Sequence, residues 1–254
     1  MRSQGVLSVV LLALAVAGCG GGETETVTIR ETVTETATSS VPGEAPALVA
    51  LYFLQDGKVW PEQRGIVSGP AIATTTIQQL FEGTESDLTT AIPPETRLRS
   101  LGIDREVASL ELSPALTDPA ARAQIVYTLT QFESVKRVSF NGGPPVGRGA
   151  FEEQTPAILV ESPLAGEEVE PGFEVSGTAN TFEATFQYEL RDSAGDVLKK
   201  DFVTATSGSG TRGTFSFTVP YEVPSAQQGR LVVFEISAED GSRTNERSIP
   251  LQLG

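Results

Sequence analysis

Few side chains in this 254-residue chain are able to perform covalent or proton-transfer chemistry, because it has no histidine and only one cysteine, Cys19. Histidine is the usual general base, the commonest metal ligand and the activator of serine and cysteine nucleophiles. The lysines are Lys58, Lys136, Lys199 and Lys200, and none lies in a Ser-x-x-Lys pattern. One cysteine also excludes an internal disulfide, a Cys-rich zinc site and a Cys-ligated iron–sulfur cluster. The sequence therefore indicates a non-catalytic protein without a cofactor.

Acidic residues are abundant, since 33 Asp and Glu face 18 Lys and Arg, giving a formal net charge of −15. Without a net positive surface to displace counterions, we expect no nucleic-acid partner. Carboxylate-only glycoside hydrolysis is the enzymatic alternative, although nothing marks one acid as buried with a raised pKa. The acids of segments 192–196 and 239–240 lack EF-hand spacing, and we interpret them as turn residues, with calcium binding as the alternative. Segment 208–213 is glycine-rich, but it lacks the lysine of a phosphate loop and is interpreted as a hairpin turn.

A short apolar segment precedes Cys19. Arg2 is followed by an apolar-rich run over 6–17, shorter than the ~20 residues that cross a bilayer and typical of a secretory signal peptide. The residues Val16-Ala17-Gly18-Cys19 resemble the lipobox of bacterial lipoproteins. The resemblance implies cleavage between Gly18 and Cys19, a diacylglyceryl thioether on Cys19, and a further acyl chain such as palmitate on its new amino terminus.

Several acyl chains anchor a protein stably, whereas one chain binds a membrane only marginally. We therefore expect residues 1–18 to be a lipoprotein signal peptide. The mature protein would lie on the extracytoplasmic face of the bacterial cytoplasmic membrane. The alternatives are an ordinary cleaved signal with an incidental cysteine, or an uncleaved signal anchor.

Residues 19–46 differ in composition from the rest of the chain. Three glycines lead into short acidic, threonine-rich repeats at 25–28, 31–34 and 35–38. Such a segment lacks the large apolar side chains that would offset the entropy of ordering. We interpret it as a disordered tether of about 30 Å average span, with a strand as the alternative reading of its Thr/Val alternation. Its Thr/Ser content also permits O-glycosylation.

Residues 47–149 show a mixed pattern of strands and helices. An apolar run at 47–55 predicts a central strand, and Asp118-Pro119 is a typical helix start. Helical spacing also covers 71–81, and further strands are predicted at 97–103, 106–112 and 135–140. The order strand, helix, strand, strand, helix, strand predicts an α+β domain whose two helices cover one face of a small sheet.

Several spaced blocks in this region resemble the GerMN domain, which is named after a sporulation and germination lipoprotein. The blocks are Leu51–Leu54, Ile77–Gly83, Ala91–Pro94 with Thr96, Ala123–Phe132 and Val135–Val138. The family commonly has an Asp-Gly turn after the last strand, where this chain has Asn141-Gly142-Gly143. The resemblance implies a small mixed α/β GerMN-like fold over 47–149, followed by a linker at 150–156.

Residues 157–254 consist of short apolar and alternating runs separated by turn residues. Seven strands are predicted, at 158–161, 173–179, 184–191, 197–206, 213–220, 230–238 and 247–253. Seven short antiparallel strands in about a hundred residues are typical of an all-β immunoglobulin-like sandwich. The blocks Ser162–Gly166, Val175–Asn180, Gly213–Phe217 and Glu235–Ser242 resemble the immunoglobulin-like domain of bacterial spore germination. That resemblance implies an extracytoplasmic binding or assembly module without catalytic residues.

Charge differs between the two regions. Residues 47–149 contain nine basic and eleven acidic residues, a net charge of −2, whereas 157–254 contain seven and fifteen, a net charge of −8. Basic side chains of the first region cluster near predicted strand ends, and we take them as candidate partner-binding residues for an anionic partner. They are Arg97, Arg99, Arg105, Lys136 and Arg137. Ordinary solvated strand and turn charges are the alternative.

We therefore expect a membrane-anchored binding or scaffold protein of the cell envelope, with an envelope protein as partner and no small-molecule substrate. The family names imply sporulation or germination, which the fold alone does not establish. The alternative is an accessory protein that binds a wall glycan such as peptidoglycan. Trp60 or the Tyr52-Phe53 pair would then stack on sugar rings, unless these side chains pack in the core. Exposed aromatic side chains would favour the glycan, and an apolar or edge-strand patch would favour a protein.

Overall fold

The computed structural model describes residues 46–254. The predicted signal peptide, Cys19 and the tether up to residue 45 lie outside the described residues. Within 46–254, none of the helices combines the length and apolarity needed to span a bilayer.

The N-terminal part, residues 46–156, contains five strands and two α-helices. They are β1 (Ala47–Gln55), β2 (Lys58–Ile66), α1 (Ile72–Glu82), β3 (Arg97–Asp104), β4 (Val107–Ser113), α2 (Pro119–Leu129) and β5 (Arg137–Phe140). The predicted single sheet is replaced by two sheets, an antiparallel pair β1-β2 and a three-stranded sheet β3-β4-β5 in which β4 and β5 run parallel. Helix α2 packs against α1, β1, β2 and β5 rather than on one face of a common sheet.

Strand β2 was not predicted from the sequence. Its segment contains Pro61, which cannot donate a ladder hydrogen bond and which is tolerated on edge strands. The structure pairs Pro61 with Tyr52 of β1 and gives β2 no second neighbour, so β2 is an edge strand. Pro61 is therefore compatible with its place in β2.

Side chains of α2 occupy the other edge of β1. The Thr128 hydroxyl accepts from the Tyr52 N–H at 3.0 Å, and the Gln124 amide donates to the Tyr52 carbonyl at 3.0 Å. Gln131, which follows the end of α2, bonds both backbone groups of Ala50, at 2.8 and 2.7 Å. Buried backbone groups require partners, and here helix side chains supply the hydrogen bonds that a neighbouring strand would otherwise give. This explains how β1, which is buried on both faces, can have a neighbouring strand on one edge only.

The predicted start of α2 is confirmed. The Asp118 carboxylate accepts hydrogen bonds from the backbone N–H groups of Ala120 and Ala121, at 2.7 and 3.2 Å, and Pro119 occupies the first helical position. A side-chain cap of this kind satisfies N–H groups that the helix itself leaves unpaired.

The segment predicted as a linker, 150–156, overlaps a 3₁₀ helix at Arg148–Gln154. The Phe151 side chain of this helix is buried in the N-terminal core, and Thr155 is buried with it. The connection between the two parts is therefore packed on the protein rather than extended in solvent.

The C-terminal part, residues 157–254, is an all-β sandwich. Its strands are β6 (Ile158–Ser162), β7 (Glu168–Val169), β8 (Phe173–Ala179), β9 (Thr185–Arg191), β10 (Val197–Thr204), β11 (Gly213–Val219), β12 (Gln227–Ile236) and β13 (Arg243–Leu253). They form a five-stranded sheet, β10-β9-β12-β13-β7, and a three-stranded sheet, β11-β8-β6. All seven predicted strands are present, and the two-residue strand β7 is additional.

The sandwich core lies between these sheets and contains the aromatic side chains that alternate along β9 and β11. Phe186 meets Phe215 edge to face at 4.9 Å, and Tyr188 stacks on Phe217 at 4.6 Å. In the central strand β8, Gly177 lies so close to β6 that a Cβ atom there would be 2.0 Å from the Leu159 carbonyl oxygen. The close approach of these two strands therefore requires glycine.

A cluster of polar and aromatic side chains joins the two parts, which belong to one compact unit. Arg148 donates to Glu161 of β6 at 2.6 Å and to the Thr130 hydroxyl at 2.6 Å, and its guanidinium lies 4.6 Å from the Tyr127 ring centre. The Tyr52 hydroxyl donates to the same glutamate at 2.5 Å. Burial raises the pKa of Tyr52 well above 10, so this hydroxyl keeps its proton. We call this group the Arg148 cluster.

Candidate functional site

The basic residues selected from the sequence are all exposed, but they do not form one patch. Arg97 begins β3 and Asp104 ends it, so the two ends lie about 23 Å apart at ~3.3 Å per residue. Arg99 belongs to the Arg97 end, beside a register shift in β3. The Arg97 guanidinium donates to the carbonyls of Pro94 and Thr96, at 2.7 and 2.8 Å.

The other three selected residues lie at the opposite end of β3. Arg105 is in the β3–β4 turn, and the backbone N–H groups of Lys136 and Arg137 both donate to the Glu106 carbonyl of that turn. The structure thus brings Arg105, Lys136 and Arg137 together and separates them from Arg97 and Arg99. Apart from the exposed pair of Arg105 with Asp104, these side chains form no ion pairs within residues 46–254.

A denser arrangement of charge occurs on the side of the five-stranded sheet that faces away from the sandwich core. We call this side the outer face. Paired residues of β10, β9 and β12 form rows across this face. The rows are Phe202–Gln187–Phe234, Lys200–Glu189–Val232 and, on β9 and β12, Arg191–Arg230. On β9 and β12, the inward-facing residues between these rows belong to the sandwich core. Arg243 reaches the same face, so it carries four of the seven basic residues of the C-terminal part.

Glu189 lies at the centre of the outer face and is only 3% exposed. Its carboxylate accepts from Arg191 and Arg243, each at 2.5 Å, and the Lys200 ammonium lies 3.4 Å away. Burial raises the pKa of Glu189, but the hydrogen bonds from the two arginines and their charges outweigh burial and hold that pKa below its ordinary value. Glu189 therefore stays ionised and fixes three cations around one anion.

Aromatic contacts complete this arrangement. Phe234 is fully buried although it faces outward, because the Arg243 guanidinium covers its ring at 3.8 Å and the Lys200 ammonium lies 5.8 Å from the ring centre. Cation–π contact of this kind holds a guanidinium flat on a ring and leaves its edges free for other acceptors. The second carboxylate near Arg243 is Glu246, at 3.3 Å.

An apolar groove of about 230 Å³ adjoins the cations of the outer face. Phe182, Phe202 and Ile236 line it and are 66%, 70% and 43% exposed. Exposed large apolar side chains are ordinary when scattered, whereas a group of them in one groove is typical of an interaction site. The Glu235 carboxylate at the groove wall accepts from the Phe182 N–H and from Asn245, so it is already occupied.

The segments considered for calcium and phosphate binding lie at turns between strands of the C-terminal part. No three metal-ligating side chains converge within residues 46–254. The Asp192 carboxylate, considered for calcium, accepts from the backbone N–H groups of Ala194 and Asp196, at 3.0 and 2.8 Å, and so closes its own turn. Segment 208–213 connects β10 to β11, whose first residue is Gly213, as expected of a turn between strands. What the outer face offers chemically is binding, through fixed cations beside an apolar groove.

Sequence reasoning missed the outer face because its residues come from four strands. The alternation Gln187, Glu189, Arg191 along β9 was a usable signal, since it puts two charges on one side of a strand. The strand order β10-β9-β12-β13, which places Lys200 and Arg243 beside Glu189, had no signal in composition or spacing.

Comparison with known proteins gives two family matches. The model described as "Sporulation and spore germination" matches residues 50–143, and the model described as "Immunoglobulin-like domain of bacterial spore germination" matches residues 157–242. No curated protein matches the sequence.

Solved structures resemble parts of the chain. A Clostridium perfringens protein described as a candidate lipoprotein is 18% identical with a TM-score of 0.30, and the match covers 44% of this chain and 93% of that one. CopC from Methylosinus trichosporium OB3b is 16% identical with a TM-score of 0.23, covering 36% and 86%. The ZIG-8–RIG-5 IG1–IG1 heterodimer is 9% identical with a TM-score of 0.19, covering 37% and 87%. These scores are too low to carry a functional argument.

The family matches confirm both resemblances and their order. This chain carries a sporulation and spore germination domain, followed by an immunoglobulin-like domain of bacterial spore germination.

Proposed function

We propose that this chain is a non-catalytic binding module of the bacterial cell envelope and that the outer face of its C-terminal part binds an acidic partner protein. The observation that carries the proposal is the concentration of charge. Arg191, Lys200, Arg230 and Arg243 share one face in a region whose net charge is −8. Within 4.0 Å, the described residues offer these four cations two carboxylates, Glu189 and Glu246, so the cations outnumber their paired anions.

The placement of Arg230 opposite Arg191 supports a role in binding. Arg191 and Arg230 are directly opposite each other in the sheet, a position where like charges are destabilising. An acidic partner would neutralise the pair and gain charge-assisted hydrogen bonds from it. Complementary charge of this kind favours rapid association and selects the partner.

The apolar groove indicates a protein partner rather than a wall glycan. Phe182, Phe202 and Ile236 form a recess suited to an apolar side chain. The side chains considered for sugar stacking are not free, because Tyr52 and Phe53 are buried and the Arg247 guanidinium covers Trp60 at 4.3 Å. A neutral glycan would also leave the cations of the outer face without acceptors.

The rest of the proposal concerns location and organisation. Lipidation of Cys19 after removal of residues 1–18 would hold the protein at the extracytoplasmic face of the cytoplasmic membrane, and residues 19–46 would act as the tether. The α+β region 47–149, in a GerMN-like arrangement, and the sandwich 157–254 would act as two modules joined through 150–156. The two family assignments support a role in a sporulation- or germination-type complex.

In-cell crosslinking of a tagged chain with Cys19 intact, followed by mass spectrometry, tests this proposal. We expect reproducible capture of an acidic envelope protein. Capture should fall at least about tenfold in Phe202→Ser and in Arg230→Glu, because truncation of an aromatic anchor and reversal of a matched charge weaken an interface strongly. Both side chains are exposed, so neither substitution disturbs the core.

The matched control reverses Arg97 and Arg99 of the N-terminal part, which should leave capture unchanged. Capture that depends on Arg97 and Arg99, but not on Phe202 and Arg230, would move the binding site to the residues first selected from the sequence. Recovery of wall fragments without a protein would support the glycan-binding alternative and contradict the proposal.

A further inference from the structure

Arg247 of β13 differs from the other partly buried arginines near the junction of the two parts. Its guanidinium lies 4.3 Å from the Trp60 ring centre and donates to the Gln55 side chain. Within residues 46–254, no carboxylate lies within 4.0 Å of it, whereas Arg148 and Arg212 each bond a glutamate, at 2.6 and 2.9 Å. Arg247 thus lies on an aromatic ring without an anionic partner.

The position of Arg247 makes this lack of a partner costly. Burial lowers the pKa of the Arg247 guanidinium, and only the attraction of Asp56 opposes that effect. A guanidinium remains protonated in proteins, so the charge persists with a ring and a neutral amide as its contacts and no anion among them. An anion that enters from solvent would supply that contact.

A cavity of about 190 Å³ opens beside Arg247, between β2 and β13. Its apolar wall is formed by Trp60, Pro156 and Ala157. Lys58 also lines it, and the Lys58 ammonium is oriented by a 2.6 Å hydrogen bond to the Glu153 carbonyl. An ammonium has three donors, so two remain for a ligand.

The charges around this cavity allow for one further negative charge. Arg247 and Lys58 contribute two positive charges, and Asp56 contributes one negative charge. Glu246 also lines the cavity, but Arg243 already neutralises it at 3.3 Å. A monoanion would balance the excess, whereas a dianion such as phosphate would meet repulsion from Asp56.

We propose that this cavity binds a small ligand through a single carboxylate, with Arg247 as the main anchor and Lys58 as the second donor. The planar guanidinium matches a carboxylate with two parallel hydrogen bonds, and Trp60 holds it in one orientation. The apolar wall contacts the remainder of the ligand. This cavity is distinct from the outer face, and its occupancy does not depend on an acidic protein partner.

The fluorescence of Trp60, the single tryptophan, provides the readout for a test on the detergent-solubilised full-length chain. The probes are N-acetylglycine, which carries one carboxylate, and N-acetylglycinamide, its neutral analogue of nearly the same shape. We expect a saturable change with N-acetylglycine at a Kd of roughly 1–10 mM, as befits so small a ligand, and none with the amide. Equal responses to both probes, or no response to either, would overturn the proposal, as would tighter binding of inorganic phosphate.

Two variants assign the effect to Arg247. Arg247→Gln should weaken N-acetylglycine binding at least tenfold, and Arg247→Lys should weaken it less, because lysine keeps the charge and loses the paired hydrogen bonds. Because both changes alter the surroundings of Trp60, ligand-observed NMR should measure binding independently. Arg230→Gln, on the outer face, is the control and should bind normally. Undiminished binding by Arg247→Gln would overturn the assignment.

Discussion

Replacement of Glu189 by glutamine tests the charge arrangement of the outer face most directly. The change keeps the shape of the side chain and removes the anion that holds Arg191, Arg243 and Lys200. Each charge-assisted hydrogen bond is worth about 1.5–3 kcal/mol. The loss is reduced because the amide oxygen still accepts one bond and because the three cations, 28%, 33% and 51% exposed, regain water. We expect the free energy of unfolding to fall by about 2–3 kcal/mol at pH 7.

Urea denaturation and thermal unfolding should both detect this loss, which corresponds to a fall in Tm of about 4–12 °C for a chain of this size. The loss should also depend on pH. The pKa of Glu189 is lower in the folded state than its ordinary 4.5, so its contribution is complete above that value. The contribution disappears as the pH falls through the folded-state pKa, where the wild-type carboxylate becomes protonated as well.

The variant and the wild type should therefore approach the same stability at acidic pH. Glu222→Gln, at an exposed position without an ion pair within residues 46–254, is the matched control and should change stability by less than about 0.5 kcal/mol. The reasoning would be refuted by a loss in Glu189→Gln no larger than that of the control. A full loss that persists below the acidic titration of the carboxylate would refute it equally.

Two further predictions concern packing and the junction of the two parts. Arg148→Met and Glu161→Gln should each destabilise the protein, and their double-mutant cycle should give an interaction energy of about 1–3 kcal/mol; additive losses would show that their 2.6 Å contact contributes little. Gly177→Ala should cost more than about 3 kcal/mol in urea unfolding, because its Cβ atom would meet the Leu159 carbonyl oxygen, whereas Gly102→Ala, with open space around it, should stay within about 1 kcal/mol.

The sequence predicts the sandwich strands well because each is marked locally, by alternation or by a short apolar run between turn residues. Phe186, Tyr188 and Leu190 alternate with polar residues along β9, and the structure buries all three. The helix start at Asp118-Pro119 is equally local, since cap and first turn are neighbours in sequence. Where the physical cause lies within a few residues, the prediction succeeds.

Features that depend on distant contacts are different. Gln124 and Thr128 are polar residues of α2, yet both are fully buried because β1 lacks a second neighbouring strand. Nothing in the local pattern of a helix shows that its side chains will complete the hydrogen bonds of a strand more than seventy residues away. The split of the N-terminal strands into two sheets follows from the same long-range arrangement.

The same distinction applies to the candidate sites. The sequence grouped Arg97 with Arg105 because both lie near strand ends, but the length of β3 separates them. Conversely, Glu189 and Arg243 are 54 positions apart and meet only through the pairing of β9, β12 and β13. Charge counts by region show that the C-terminal part is acidic overall. They do not show which of its basic residues lie together, because that depends on the order and register of the strands.

The position of Leu159 bears on how the chain unfolds. This residue belongs to strand β6 of the sandwich, but its side chain is fully buried in the core of the N-terminal part. Its neighbour Glu161 provides the carboxylate of the Arg148 cluster. Loss of β6 from the sandwich would open a cavity in the other core and leave Arg148 without its anion. The two parts therefore share part of their stability, and we expect residues 46–254 to unfold as a single cooperative unit despite containing two domains.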